Sequence, residues 1–381
     1  MRIALVHDYL AQDGGAERVL WALHELYPEA PIFVLFHDRE KITGFPEPNI
    51  RESFLARFPW IRSHFQWYLT LMPYATERHE LRDFDVVISS ASSFAKGVVT
   101  PPHSLHLSYC HTPTRWLWFD ARQYLSDLPY NPLVKAVLPL LMHRLRTWDQ
   151  LAANRVDHFI ANSVTVQRRI WKYYRRESEV IYPPVDLSPY SAAEAPGEYF
   201  VAGGRLVPYK RLDLAVRVFN RLRWPLKIFG TGPELARLQE IAKPNVQFLG
   251  RITESAKAEL LAGARAFIHP QLEDFGITPI EAMAAGRPVI AYAEGGATET
   301  VVPGITGLFF PRQSWESLLH AVLHFDTAIW NPARIRAHAE QFSTPIFKER
   351  LQRYVAERYE EFNRGLFQPV LLKSNQTMLP P

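Results

Sequence analysis

The sequence predicts an α/β protein of two domains, each a parallel sheet covered by helices, with a cleft between them. Three observations carry this. At 381 residues and 47% hydrophobic content, the chain is too long for one compact core. Short apolar runs alternate with stretches of helical periodicity along most of its length, the pattern of parallel-sheet units. The alternation breaks at SPYSAAEAPGE (residues 188–198), whose small and turn-forming residues read as a linker. We place the boundary near residue 192, which gives domains 1–191 and 192–363 and a tail 364–381.

In the first half, strand IALVHD (3–8) precedes helix AERVLWALHEL (16–26), and DVVISS (85–90), LHLSYC (105–110) and DHFIANS (157–163) are further strands. The last ends in Asn162 and Ser163, which suit the cap of a helix beginning VQRRIWKYY. The second half alternates more regularly. Strands YFVAGG, LKIFG, VQFLG, AFIHP and PVIAY are interleaved with helices LDLAVRVFNRL, ELARLQEIA, SAKAELLAGA and IEAMAAG, joined by short loops. A last helix, FKERLQRYVAERYEEF, has one apolar side and can pack on either domain, and LLKSNQTMLPP reads as a poorly ordered end.

Composition narrows the function classes. A net charge of +4 is mildly basic and suits an anionic ligand or a membrane surface without pointing to nucleic acid. Cys110 is the only cysteine, so no internal disulfide is possible and a reducing, cytoplasmic setting is expected. MRIALVHDYL is unlike a secretory signal, and no apolar run reaches the ~18 residues of a membrane span. We therefore expect a protein that is soluble or peripheral on the inner face of the cytoplasmic membrane. Two segments suit anionic headgroups. SFLARFPWIRSHFQWYLTLMPYA (53–75) mixes aromatics with Arg57 and Arg62 and has no acidic residue, and VQRRIWKYYRR (166–176) is basic and aromatic. Ordinary packing is the alternative for both.

Four stretches at strand ends carry the chemistry. In EDFGITPIEAMAAGRPVIA (273–291), Thr278-Pro279-Ile280-Glu281 fits a capping box with Thr278 as N-cap. The same stretch follows a strand at the sheet end where open parallel sheets bind ligands, so Glu273 and Glu281 suit paired hydroxyls and Gly276 a close approach. Spacing leaves both readings of Glu281 open. In GGRLVPYKR (203–211), Arg205 and Lys210 would neutralise a departing diphosphate, against the alternative of a solvated basic loop. In HDYLAQDGGAERV (7–19), Gly14 and Gly15 permit backbone to approach phosphate, while Glu17 suits the helix dipole with or without a ligand. In SYCHTPTRWLW (108–118), His111 sits where a cleft would be, and Trp116 and Trp118 suit either sugar stacking or core packing. Cys110 has no base partner in the pattern. Gly230-Thr231-Gly232 resembles a dinucleotide fingerprint but has Leu235 in place of the third glycine, Asp83 and Asp85 precede their strand, and no ligand cluster for a structural metal is evident.

Taken in order, GGAERV, GRLVPYKRLDLAV, FGTGPELARL, NVQFLGRI, LLAGARAFIHPQLEDFGITPIEAMAAGRPVIAYAEGGATETV and GITGLFF resemble glycosyltransferase family 4 over essentially the whole chain. Glu273 and Glu281 stand as that family's E-x7-E element, and YCHTPTRWLW resembles the bacterial branch that transfers mannose in lipopolysaccharide or exopolysaccharide assembly. The resemblance implies the GT-B architecture of two Rossmann-like domains, retention of anomeric configuration, and no required metal or cofactor. It further implies a nucleotide-sugar donor, preferably GDP-mannose, and a saccharide or lipid-linked acceptor. Residue by residue, it implies that Arg205 and Lys210 hold the diphosphate, Glu281 the ribose and Glu273 the sugar hydroxyls. Phe275, Gly276 and Ile277 would contribute backbone, Gly14 and Gly15 lie beneath the phosphates, His111 touch the transferred sugar, and Glu17 and Trp116 face the acceptor. Pro183-Pro184-Val185-Asp186 departs from the family's usual Asn-Gly, and Tyr209 replaces the common charged residue before Lys210.

Overall fold

A computed structural model describes residues 1–367 except 13, 43, 46–48, 120, 122–131 and 193–195. The expected disordered end at 371–381 and part of the expected linker lie outside the described residues.

The first domain is built on strands β1 (Ile3–His7), β2 (Ile32–Val34), β3 (Ile50–Glu52), β4 (Val86–Ala91), β5 (Leu105–Cys110), β6 (His158–Ala161) and β7 (Ser178–Val180). They form one sheet in the order β3-β2-β1-β4-β5-β6-β7, every pairing parallel. Helices α1 (Gly15–Leu26), α2 (Met72–Glu77), α3 (Pro132–Ala153) and α4 (Val164–Tyr174) accompany it. Because both faces are covered, β1 is apolar nearly throughout. Ile3 and Leu5 enter one core cluster, and Ala4 and Val6 enter the cluster on the opposite face.

The second domain has β8 (Tyr199–Gly203), β9 (Leu226–Phe229), β10 (Val246–Gly250), β11 (Ala264–His269), β12 (Val289–Tyr292) and β13 (Gly307–Phe310), all parallel, in the order β10-β9-β8-β11-β12-β13. Its helices are α5 (Leu212–Leu222), α6 (Leu235–Ile241), α7 (Glu254–Ala262), α8 (Ile277–Ala284), α9 (Ala297–Thr300), α10 (Trp315–Leu323) and α11 (Pro332–Ala339). The two-sheet α/β architecture expected from sequence is the one observed. The winding direction reverses between β1 and β4 in the first sheet and between β8 and β11 in the second, and such reversals open crevices at the carboxyl ends of strands. The stretches carrying Gly14, Arg205 and Glu273 follow β1, β8 and β11, and His111 follows β5 beside β4.

Two boundaries move from the sequence reading. Ile181 still packs in the first core whereas Val185, Leu187 and Tyr190 pack in the second, so the chain changes cores ahead of residue 192. Val185 and Leu187, just ahead of the supposed linker, and Tyr190 within it are the cause. Helix α12 (Thr344–Phe367) runs past residue 364 and crosses back to the first domain. Phe347, Leu351 and Val355, four residues apart on one helix face, join the first-domain core, with Phe347 5.8 Å from the Tyr109 ring.

Candidate active site

The two crevices meet in one cleft of about 650 Å³, lined from both domains by Gly14, Gly15, Glu17, His111, Arg205, Lys210, Glu273, Phe275, Gly276, Ile277 and Glu281. Of the expected site residues, Trp116 alone is missing from this lining. Its half-buried ring lies 6.2 Å from Phe94, against an apolar cluster of the first domain. Trp118 is tied inward, stacked on Tyr173 and donating from Nε1 to Asp149 at 2.7 Å.

The loop after β8 is shaped by close backbone approach. A Cβ on Gly204, at φ +112°, would stand 2.7 Å from the Lys210 ammonium, so this glycine lets Lys210 fold over the main chain. Gly230, at φ +110°, lies so near that its Cβ would meet the Gly204 carbonyl at 1.9 Å. Leu206 N donates to Thr231 O at 2.8 Å, locking the two loops together. The fingerprint-like glycines therefore brace the cationic loop. Lys210, itself buried, reaches Glu273 Oε1 at 3.0 Å, while among the described residues exposed Arg205 makes long hydrogen bonds, 3.4 Å to Gln12 and 3.5 Å to the Tyr209 hydroxyl. Burial pushes the Glu273 carboxyl up, but Lys210, His269 and Arg115 together hold it below its ordinary value.

Helix α8 starts two residues earlier than the capping-box reading requires, at Ile277 rather than Pro279. Its N-cap is Gly276 at φ +90°, with no side-chain cap, so Thr278 and Glu281 form no box. Glu281 Oε1 instead accepts from Arg18 of the first domain and Lys257 of the second, each at 2.9 Å. This carboxylate is buried and paired with two basic side chains at the domain junction.

On the opposite wall, His111 Nε2 and the Ser90 hydroxyl are 2.9 Å apart, and Asn162 Nδ2 donates to the His111 carbonyl at 2.9 Å. Burial, with His7 nearby, lowers the His111 imidazole to about 3, so it is neutral at physiological pH. Its loop is anchored beneath by Asp149, which accepts from Lys96 Nζ at 2.5 Å, Thr114 at 2.6 Å and Tyr174 at 2.7 Å. Asp8 anchors the neighbouring turn by accepting four backbone N–H groups, from Ser92 to Ala95, at 2.7–2.8 Å. Burial raises the Cys110 thiol to about 12, which fits its exclusion as a nucleophile.

Residues 13–189 match the family profile described as Glycosyltransferase Family 4, and residues 191–327 match Glycosyl transferases group 1. The chain is a glycosyltransferase, with a family 4 domain followed by a group 1 domain. Among relatives, this transferase is 23% identical to the Schizosaccharomyces pombe alpha-1,3/1,6-mannosyltransferase alg2, over 92% of this chain and 80% of that one. It is 26% identical to the Salmonella typhimurium O-antigen chain mannosyltransferase RfbU over 55% of this chain, and the match spans 62% of that relative's length. In fold it is similar to Anabaena HepE solved with UDP, at TM-score 0.67, 17% identity and coverage of 94% of this chain and 100% of that one. Sucrose-phosphate synthase of Thermosynechococcus elongatus gives TM-score 0.71 at 16% identity, covering 95% and 100%.

Several residues at the transferase's domain junction escaped sequence reasoning because their partners lie across it. Arg18 reaches Glu281, Arg169 pairs with Asp274, and Glu299 accepts from Val164 N at 2.7 Å and Thr165 N at 2.8 Å, capping α4 from the other domain. Arg115 lies over the Tyr209 ring at 4.7 Å. Arg18 and Arg115 stand three and four positions after Gly15 and His111, which was the available signal, and one sequence offers no way to pair them across the junction.

Proposed function

We propose that this transferase moves mannose from GDP-mannose, with retention and without a metal, to a hydroxyl of a saccharide or lipid-linked acceptor in cell-surface polysaccharide synthesis. The observation that carries the reading is the Lys210–Glu273 pair with Arg205 in one cleft with His111. Lys210 and Arg205 suit the charge that grows on a departing diphosphate, where preorganised cations act most strongly. Glu273 Oε2 remains for a sugar hydroxyl, and Glu281 Oε2, which neither Arg18 nor Lys257 takes, remains for the ribose. The acceptor hydroxyl attacks the anomeric carbon from the face that the diphosphate leaves. The C–O bond to phosphate breaks as the new glycosidic bond forms, and the acceptor proton passes to the diphosphate. Mannose is favoured by relatives named mannosyltransferases.

A UDP-sugar donor is the second reading, because HepE was solved with UDP and with UDP-glucose. Calorimetric titration with GDP and then UDP in excess chelator separates the two. Tight GDP binding with weak UDP binding is expected; preference for UDP overturns the mannose reading and keeps the fold, and binding of neither favours a non-catalytic sensor. We also propose contact with an anionic membrane surface. No helix among the described residues is long and apolar enough to cross a membrane, yet Trp60, Trp67, Leu71, Tyr74 and Trp171 of the two aromatic–basic segments are exposed. Co-sedimentation with vesicles containing anionic lipid, and its loss in Trp60→Ser with Trp67→Ser, tests this.

A further inference from the structure

Behind His111 a line of polar side chains runs through the otherwise apolar first domain. Glu17 Oε1 stands 3.7 Å from His7 Nε2, His7 Nδ1 is 3.1 Å from Ser90 Oγ, and Ser90 Oγ is 2.9 Å from His111 Nε2. Glu17, His7 and Ser90 are all buried, at 3%, 3% and 0% exposure. Such polar atoms are costly to place in a core unless each finds a partner of the right polarity.

The polarities along this line are constrained. An ionised carboxylate only accepts, so the imidazole nitrogen nearest Glu17 is best satisfied carrying the proton. In a His7 that carries one proton, on Nε2, Nδ1 is a lone pair and is satisfied by the Ser90 O–H. Ser90 then has only lone pairs to offer His111, whose Nε2 must carry its proton. The reverse order would set the Nε2 lone pair of His7 against the carboxylate. His111, half-buried at the cleft wall, is neutral, so one proton on Nε2 leaves Nδ1 bare.

We infer that His7 and Ser90 are positioning residues that hold His111 as the Nε2–H tautomer, with Glu17 setting the direction, so that Nδ1 accepts a hydrogen bond from a hydroxyl of the bound sugar. This rests on the reading of His111 as the residue that meets the transferred sugar. It also gives Glu17 a part different from the one expected of it: its carboxylate works through His7 from within the domain. A tautomer set from behind discriminates between donors, because a site built to accept from a hydroxyl is left unsatisfied by a sugar lacking it.

The test uses the full chain labelled with ¹⁵N-histidine. Ring ¹⁵N shifts report each tautomer directly, and His111→Gln identifies the His111 signals. The expected spectrum shows His111 as Nε2–H in the unaltered protein and loss of that single tautomer in Ser90→Ala and His7→Leu. His106, whose Nε2 is 2.9 Å from Ser89 Oγ on the neighbouring residue, serves as the control and stays unchanged. In transfer assays Ser90→Ala and His7→Leu lower kcat about tenfold, the value of one well-made hydrogen bond, with nucleotide diphosphate affinity unaltered. His7→Asn, whose carbonyl takes the place of Nδ1, recovers most of what His7→Leu loses. An Nδ1–H tautomer in the unaltered protein, one tautomer across all variants, or an Asn variant no better than Leu overturns the inference. If the protein binds neither GDP nor UDP, the functional reading falls, and the spectra still decide the tautomer.

Discussion

Lys210 and Glu273 show how one residue pair joins structure to chemistry. Lys210 reaches Glu273 at 3.0 Å, and together with His269 and Arg115 it keeps that carboxyl below its ordinary value against the opposing effect of burial. Lys210→Ala is expected to cut turnover by about 10²–10³-fold, the usual cost of removing one preorganised charge-stabilising group. It also moves the Glu273 titration upward, because the largest opposing charge is gone. Single-turnover rates across pH check both; unchanged turnover would remove Lys210 from the diphosphate role. At this scale the sequence was informative where chemistry and strand-end position coincide, as for Glu273, Lys210 and His111. For Glu281 spacing left a cap and a ligand contact even; the start of α8 at Ile277 excludes the capping box, and Arg18 and Lys257 pair with one of its oxygens.

Among the elements, the loops after β8 and β9 act as one unit. Glycines at 204 and 230 allow a backbone approach that no other residue tolerates, and the unit sets where Lys210 and Arg205 stand. Gly230→Ala places a Cβ 1.9 Å from the Gly204 carbonyl at a φ of +110°. We expect it to cost about 1–3 kcal/mol of stability and to weaken nucleotide binding together with it. Thermal melts and calorimetry measure the two losses, and a variant with native stability and affinity would show that the loops are independent. Strands such as β1, β4, β5 and β11 and helices such as α1, α5 and α12 were legible from alternation and periodicity, whereas α3, α10, α11 and β13 went unread. The three-residue strands β2, β3 and β7 went unread, being too short to display a period.

For the whole molecule, buried neutral histidines tie stability to pH. Burial lowers His106 and His111 to about 3 and His269 to about 4, from an ordinary value of 6.5. Below about pH 6.5 the unfolded chain takes up these protons and the folded chain does not, so stability is complete above that pH and declines as pH falls toward 4. A fully buried histidine contributes a slope of up to about 1.4 kcal/mol per pH unit. Melting temperature is therefore expected to drop between pH 7 and pH 5, and His106→Gln should flatten the decline; a constant melting temperature over that range would contradict it. The sequence by itself determined the class of the molecule: two parallel-sheet domains, four chemical stretches at strand ends, and a family resemblance carried by them. Alternation, strand-end position and residue chemistry are local properties, and they survive in a one-dimensional reading. Tertiary structure alone decided that Trp116 packs beside Phe94, that α12 returns to the first domain, that Arg18 and Glu299 bridge the domains, and that Glu17, His7, Ser90 and His111 line up. Each depends on contacts between residues far apart in the chain, set by sheet order and by how the two domains meet, and no local pattern encodes that meeting.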